Sequence, residues 1–126
     1  ELEQYEVPCK ENHTGKAWNL GMKCWVNEKQ VSEGNLADMD WTFAEIIERC
    51  SYGVELMPGD VIGSGTVGTG CFLELNGTGL LNNPDFEPQW LQDGDVVDME
   101  IDGLGKLSNT IVKDESDFSI LALKKI

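Results

Sequence analysis

The stretch GMKCWVNEKQVSEGN, residues 21–35, decides the fold because two kinds of side chain alternate along its first half. A period of two sends successive side chains to opposite faces of a strand, so one face is predicted to be buried and the other to meet solvent. The polar sequence at 27–29 predicts a turn into a second, short strand. The alternating residues are Met22, Cys24 and Val26 on the predicted buried face and Lys23, Trp25 and Asn27 on the other.

The segment DWTFAEIIERCS, residues 40–51, predicts a helix. Asp38 or Asp40 is expected to cap its first amides, and Gly53 to adopt the left-handed conformation just beyond its end. Because most of the remaining chain predicts strands, we expect the helix to pack on a sheet. Its apolar face, spaced at i, i+3, i+4 and i+7, consists of Phe43, Ile46, Ile47 and Cys50.

From residue 54 onward the pattern predicts short strands between turns, so the fold class is mainly β with one or two helices. Asp102-Gly103 and Gly105 predict a hairpin between two of these strands. One turn occurs twice, once as LMPGDVI at 56–62 and once as LQDGDVV at 91–97. The predicted strands lie in DVIGSG, CFLEL, DVVDMEIDG, KLSNTIV and FSILALKKI.

Length and composition limit the classes of function. The 126 residues suffice for a single domain, 1–126, in which 1–19 is predicted to be a polar, irregular connector. A net charge of −14 repels phosphate backbones and anionic lipid, so we expect neither nucleic acid nor membrane as a partner. The four cysteines include no C-x-x-C pair, so they are not predicted to bind zinc. We expect them to be small, buried hydrophobic side chains of a protein in a reducing cytoplasm.

The stretch GDVIGSGTVGTGC, residues 59–71, contains a G-x-G-x-x-G pattern. A dinucleotide site needs a helix after the glycines, whereas CFLEL predicts a strand, and a P-loop needs Gly-Lys-Ser/Thr. Nucleotide binding is therefore rejected. Two interpretations stay open: the glycines let strands cross closely, or they expose backbone N–H groups around Thr66 and Thr69 for a carboxylate or enolate.

Two long motifs carry a family resemblance. The segment LMPGDVIGSGTVGTGCFLEL, followed by WLQDGDVVDMEIDGLGKLSNTIV, resembles the carboxy-terminal portion of the catalytic domain of the fumarylacetoacetate hydrolase family. The upstream segment VNEKQVSEGNLADMDWTFAEIIERCS fits the same family, so the resemblance covers about residues 20 to 112. It implies an incomplete mixed β-sandwich roll from a homodimeric enzyme.

The resemblance also implies a chemistry. Family members act on 2-oxo and 1,3-dicarbonyl acids by C–C bond hydrolysis, decarboxylation, isomerisation or dehydration. A divalent cation, Mg²⁺ or Ca²⁺, chelates the dicarbonyl as a Lewis acid, and a His–Glu pair handles water or the proton. This chain is therefore expected to be part of a metal-dependent hydrolase or lyase.

Matching positions assign roles to individual residues. Thr66 corresponds to the threonine of the family's G-T pair, which contacts substrate oxygen, so Gly65, Thr66, Val67 and Gly68 are predicted to bind substrate. Glu74 corresponds to the glutamate that orients the catalytic histidine, and is a predicted catalytic residue.

The family's metal ligands lie upstream of the matched region, so no metal ligand is predicted in this chain. Glu1-Leu2-Glu3 is interpreted as connector, and His13 as a surface residue. Asp98, Glu100 and Asp102 share one strand face, which is predicted to be solvated rather than a metal cluster.

The 126 residues are therefore expected to be a carboxy-terminal piece that lacks activity, and binds no cation tightly, without the upstream half of the same enzyme. The alternative is a β-sandwich module that serves binding or dimerisation without catalysis.

Overall fold

The computed structural model describes residues 1–115, which form two antiparallel sheets and two α-helices. This confirms the predicted fold class, mainly β with one or two helices. The larger sheet has the strand order β4-β3-β5-β6, and the smaller one pairs β1 with β2. The predicted strand in FSILALKKI lies outside the described residues. The strands are β1 (Glu6–Val7), β2 (Ala17–Trp18), β3 (Gly21–Val26), β4 (Lys29–Asn35), β5 (Val96–Ile101) and β6 (Gly105–Thr110), the helices are α1 (Phe43–Cys50) and α2 (Phe72–Asn82), and 3₁₀ turns occupy Leu2–Tyr5 and Leu36–Asp38.

The β3–β4 hairpin has the predicted strands and turn. Asn27 and Glu28 both have positive φ, 48° and 66°, as a tight two-residue hairpin turn requires. The Asn27 side chain also donates to Asp95 Oδ1 (2.8 Å) and accepts from Val96 N (3.0 Å). The turn is therefore attached to the start of β5 as well as to its own strands.

The larger sheet has one apolar and one polar face. In β3 and β5, Met22, Cys24 and Val26 lie opposite Ile101, Met99 and Val97, so these side chains share a face. On the other face, Lys106 Nζ lies 3.1 Å from Asp98 Oδ2 and 5.8 Å from the ring centroid of Trp25. Ser108 and Lys106 lower the pKa of Asp98. Asp102 lies beyond the strand end, where its carboxylate accepts from Gly21 N (3.0 Å).

Residues 1–19 differ from the irregular connector that was predicted. They form a 3₁₀ turn and the two short strands of the smaller sheet, in which Glu6 pairs with Trp18. The 3₁₀ turn lies against the β5–β6 turn so closely that a Cβ at Gly103 would be 2.9 Å from Tyr5 Cε2. The N-terminal segment therefore contacts the β5–β6 turn through the apolar side chains of Leu2 and Tyr5.

Helix α1 begins later than predicted, and its cap is Thr42 rather than Asp38 or Asp40. Thr42 and Glu45 form a capping box, in which each side chain accepts from the other residue's backbone N–H. Gly53 has φ 80°, as predicted for the position beyond the helix end. The helix contacts the smaller sheet through Phe43 and Trp18, whose ring centroids are 5.9 Å apart.

Helix α2 replaces the strand that was predicted in CFLEL, so that prediction is wrong. The four residues of α2 that face inward, Phe72, Leu75, Asn76 and Gly79, repeat at helical spacing. Because two of them are not large apolar residues, the sequence shows no clear apolar helical pattern. Asn76 is buried, donates to Gln89 O (2.8 Å) and accepts from Gln89 N (2.9 Å). A buried polar group with both partners satisfied is compatible with an otherwise apolar helix face.

The turn that occurs twice has the same geometry in both copies. Asp60 Oδ2 accepts from Met57 N (2.8 Å), and Asp95 Oδ2 accepts from Gln92 N (2.7 Å). Gly59 and Gly94 have φ of 103° and 87°. Only the second copy leads into a strand, so the strand predicted in DVIGSG is wrong.

Candidate functional site

The glycine loop, residues 63–70, runs from the first repeated turn to α2 without helix or strand. Its central part faces the end of β4 and the Leu36–Asp38 turn across a cavity of about 360 Å³. All four residues that were predicted to bind substrate line this one cavity. The lining residues are Met22, Glu33, Gly34, Asn35, Leu36, Asp38, Met39, Ser64, Gly65, Thr66, Val67 and Gly68.

The backbone of the loop presents unused donors. Within residues 1–115, the N–H groups of residues 64–68 have no hydrogen-bond acceptor, while Gly70 N donates to Val67 O (2.8 Å). Thr66 is exposed, and Gly65 has φ 100°, a conformation that side chains with a Cβ rarely adopt. The loop therefore combines free amides, a hydroxyl and a glycine-dependent bend beside the same cavity.

Two contacts attach the loop to β4. Val67 is half-buried and lies against Gly34, where a Cβ would be 2.5 Å from Val67 Cγ1. Thr69 Oγ1 lies 3.5 Å from the hydroxyl of Ser32, which is buried. Thr69 has φ 64°, which is unusual for a β-branched residue. Such backbone strain persists only where the surrounding structure enforces it, and it is frequent at functional sites.

The described side chains that line this cavity do not form a metal-binding site. Glu33 and Asp38 are its two carboxylate residues, and the described part of the chain contains no group of three or more His, Cys, Asp or Glu side chains that suits a metal ion. The side chains in residues 1–115 therefore do not fit the divalent cation that the resemblance implies.

Glu74 lies apart from this cavity. It is exposed in the first turn of α2, and Oε2 is 3.9 Å from Cys71 Sγ. The structure does not bring it together with Gly65, Thr66, Val67 or Gly68, and its predicted catalytic role stays a prediction.

Because α2 follows Gly70, a nucleotide site is not excluded by the lack of a helix after the glycines. The dinucleotide fingerprint is still incomplete, because residues 60–71 contain no strand before the glycines. Glu74 also places a negative charge in the helix's first turn, where a phosphate would need positive potential.

The surface position predicted for His13 is wrong. Its side chain is 15% exposed, its Nδ1 lies 3.0 Å from Glu45 Oε2, and its ring contacts Trp41 edge-on at 5.1 Å. The amide of Thr42, followed by the His13 side chain, lowers the pKa of Glu45 to about 2. The T-x-x-E spacing at 42–45 is a capping-box signal that was present in the sequence and was missed.

A second, apolar cavity of about 530 Å³ lies between the apolar sheet face and α2. Its lining residues are Cys24, Val26, Val31, Thr69, Gly70, Cys71, Phe72, Leu73, Leu75, Trp90, Leu91, Val97 and Met99.

All four cysteines are free thiols. Cys71 is exposed and the other three are half-buried, so the prediction that the cysteines are buried is wrong. Burial raises the pKa of Cys24.

Large apolar side chains are also exposed elsewhere, among them Trp41, Tyr52 and Val61. Leu20 is the one hydrophobic residue that is fully buried within residues 1–115. None of the helices in that part of the chain has the length and apolar character needed to span a membrane.

Two of the known proteins that this chain resembles in sequence are oxaloacetate tautomerases. Oxaloacetate tautomerase fahd2, mitochondrial, from Xenopus laevis is 38% identical over 94 residues, which are 75% of this chain and 26% of that protein. Oxaloacetate tautomerase YisK from Bacillus subtilis is 36% identical over 92 residues, or 73% of this chain and 27% of that protein. The chain thus spans about a quarter of the length of these curated relatives.

The sequence profile described as "Fumarylacetoacetate (FAA) hydrolase C-terminal" matches residues 6–112. This range includes the larger sheet, both helices and the glycine loop. It also includes most of residues 1–19, which lay outside the resemblance seen in the sequence. The chain belongs to the fumarylacetoacetate hydrolase family.

Proposed function

We propose that this chain supplies the substrate-contacting loop of a longer enzyme that acts on 2-oxo acids, with oxaloacetate as the first substrate to test. The observation that carries the proposal is that residues 64–68 line one cavity while, within residues 1–115, their N–H groups have no hydrogen-bond acceptor, and that Thr66 among them is exposed. The names of the two tautomerase relatives support the choice of substrate.

The chemistry of the substrate fits these donors. Enol–keto conversion of an oxo acid moves a proton between carbon and oxygen, and negative charge develops on the oxygen. Preorganised N–H donors stabilise such an oxyanion, and a glycine-rich bend lets the backbone approach it closely. Because the chain has a net charge of −14 and the cavity contains Glu33 and Asp38, attraction of an anionic substrate depends on these local dipoles.

The role proposed for this chain is confined to substrate contact. The side chains in residues 1–115 bring no metal ligands together, so ligands for a Mg²⁺ or Ca²⁺ ion belong to the rest of the longer protein under this proposal. Isothermal titration of the 126-residue chain with MgCl₂ alone tests this division. We expect no tight binding; stoichiometric binding would contradict it.

The substitution Thr66→Val tests the loop in the full-length protein. It removes a hydroxyl while keeping a branched side chain of similar size. We expect kcat/KM for oxaloacetate, followed by ultraviolet absorbance of the enol, to fall by roughly tenfold or more, because a hydrogen bond to a charged group contributes about 1.5–3 kcal/mol.

Thr110→Val is the matched control, since Thr110 is exposed on β6 and does not line the cavity. A Thr66→Val protein with the kcat/KM of the control would contradict the proposal. Glu74→Gln tests the remaining predicted catalytic residue: lost turnover at unchanged stability assigns it a role, and unchanged turnover removes it.

A non-catalytic assembly module is the second candidate, and one observation favours it. Within residues 1–115 Leu20 is the one hydrophobic residue that is fully buried, while Trp41, Tyr52 and Val61 are among the large apolar side chains that are exposed. So much exposed apolar surface suits contact with further polypeptide, either the upstream half or a second copy. A full-length protein that forms homodimers but converts no oxo acid would favour this candidate over the enzyme.

A further inference from the structure

The glycine loop is held on strand β4 at two positions that are two residues apart. Val67 contacts Gly34 and Thr69 contacts Ser32, so the loop runs antiparallel to the strand. In the β3–β4 register these two strand positions lie opposite Met22 and Cys24, which belong to the apolar face. An edge strand therefore serves as the support on which the loop rests.

Gly34 leaves the space that Val67 occupies. A Cβ at position 34 would lie 2.5 Å from Val67 Cγ1, well inside van der Waals contact, but 3.9 Å from Val67 Cβ. Val67 is the one partly buried residue of the segment 57–70. Because valine is branched at Cβ and rotates little about χ1, it has few ways to avoid an added methyl group. The contact therefore depends on the absence of a side chain at position 34.

We infer that Gly34 is a positioning residue for the proposed oxo-acid site. By having no side chain it receives Val67, and so fixes how the amides of Gly65, Thr66 and Gly68 face the cavity. Ser32 holds the other side of the same turn through Thr69. The inference rests on the proposed function for what these amides bind, while the Gly34–Val67 contact is a property of the fold itself.

A double-mutant cycle in the full-length protein tests the inference. The variants are Gly34→Ala, Val67→Ala and the combination of both. Gly34→Ala is expected to lower kcat/KM for oxaloacetate by about tenfold, because a misplacement of about 1 Å in a site can cost up to 10²-fold. It is also expected to speed hydrogen exchange at the amide of Gly70, which donates to Val67 O (2.8 Å) in the turn that the Gly34–Val67 contact holds.

The double variant supplies the decisive result. With Val67 shortened to alanine, only its Cβ faces the new methyl group, at an ordinary contact distance of 3.9 Å. We therefore expect the double variant to return to within about twofold of Val67→Ala in kcat/KM and in loop exchange, a non-additive result typical of residues in contact. Gly77→Ala is the control, since a Cβ there meets nothing within 4 Å, the glycine has no positive φ, and it lies in α2 outside the glycine loop and its cavity.

Two outcomes overturn the inference: a Gly34→Ala protein with unchanged exchange and kcat/KM, or a double variant in which the two single effects simply multiply. If Gly34→Ala does not fold, the double variant decides, because rescue of folding supports the contact and failure to fold contradicts it. A full-length protein that converts no oxaloacetate at all refutes the proposed function, while the exchange measurements still test the role of Gly34 in holding the loop.

Discussion

The carboxylate of Glu45 joins the start of α1 to the N-terminal segment through His13. Its Oε2 lies 3.0 Å from His13 Nδ1 and accepts from Thr42 N, while Oε1 accepts from Thr14 N. One side chain thus completes a helix cap and attaches a segment 32 residues earlier in the sequence. These three contacts also explain why the charged form of the carboxylate is favoured.

Glu45→Gln is predicted to change the pH dependence of stability. The folded pKa is lowered from 4.5 to about 2, so the charged carboxylate stabilises the fold above pH 4.5, and this contribution is lost as the pH falls from 4.5 towards 2. The variant should have a lower free energy of unfolding at neutral pH than the unsubstituted protein. Its free energy of unfolding should also fall less between pH 4.5 and about 2, because it has no carboxylate at position 45 to become protonated. Urea unfolding across this pH range measures both effects. Glu48→Gln, an exposed change on the same helix, is the control.

Two glycines of α2 are predicted to respond in opposite ways to alanine. A Cβ at Gly77 meets nothing within 4 Å, so Gly77→Ala should stabilise the fold by up to about 1 kcal/mol through helix propensity. A Cβ at Gly79 would lie 2.6 Å from the Phe86 ring, so Gly79→Ala should destabilise it by about 1–3 kcal/mol. Urea unfolding decides, and two stabilised variants would contradict the contact with Phe86.

Asn76→Ala is predicted to destabilise the fold by about 1–3 kcal/mol, because it leaves the N–H and C=O of Gln89 without their partner. Asn82→Ala removes the same group from an exposed position at the end of α2 and should have little effect. Equal free energies of unfolding for these two variants would show that the buried amide contributes nothing.

Thiol labelling of the 126-residue chain is predicted to separate the four cysteines. Cys71 is exposed and should react first, whereas Cys24 should react slowly, because it is half-buried and burial raises its pKa. Mass spectrometry of timed samples gives the order of reaction. Cys71→Ser should remove the fast phase, and a fast phase that survives this change would contradict the assignment.

Much of the larger sheet was predictable because its signals are local. Alternation at 21–26 and the turn at Asn27 and Glu28 are read from adjacent residues, and so is the hairpin at Asp102-Gly103. Helix α2 was missed because two of its inward positions carry Asn76 and Gly79. Their fit depends on Gln89 and Phe86, which come later in the chain and are not part of the local pattern.

The candidate site was predictable in part and for a different reason. The resemblance pointed to residues 65–68, and the structure places all four beside one cavity. It did not point to Gly34 or to the His13–Glu45 pair. These contacts join residues more than 30 positions apart, and no periodicity in the sequence reports such a contact.

The buried amide of Asn76 has a consequence for biosynthesis. Asn76-Gly77-Thr78 is an acceptor sequence for N-linked glycosylation, but its asparagine is 4% exposed and uses both ends of its amide on Gln89. A glycan attached to that nitrogen before folding would not fit beneath residues 83–90. A glycan on Asn76 is therefore incompatible with the burial of this side chain.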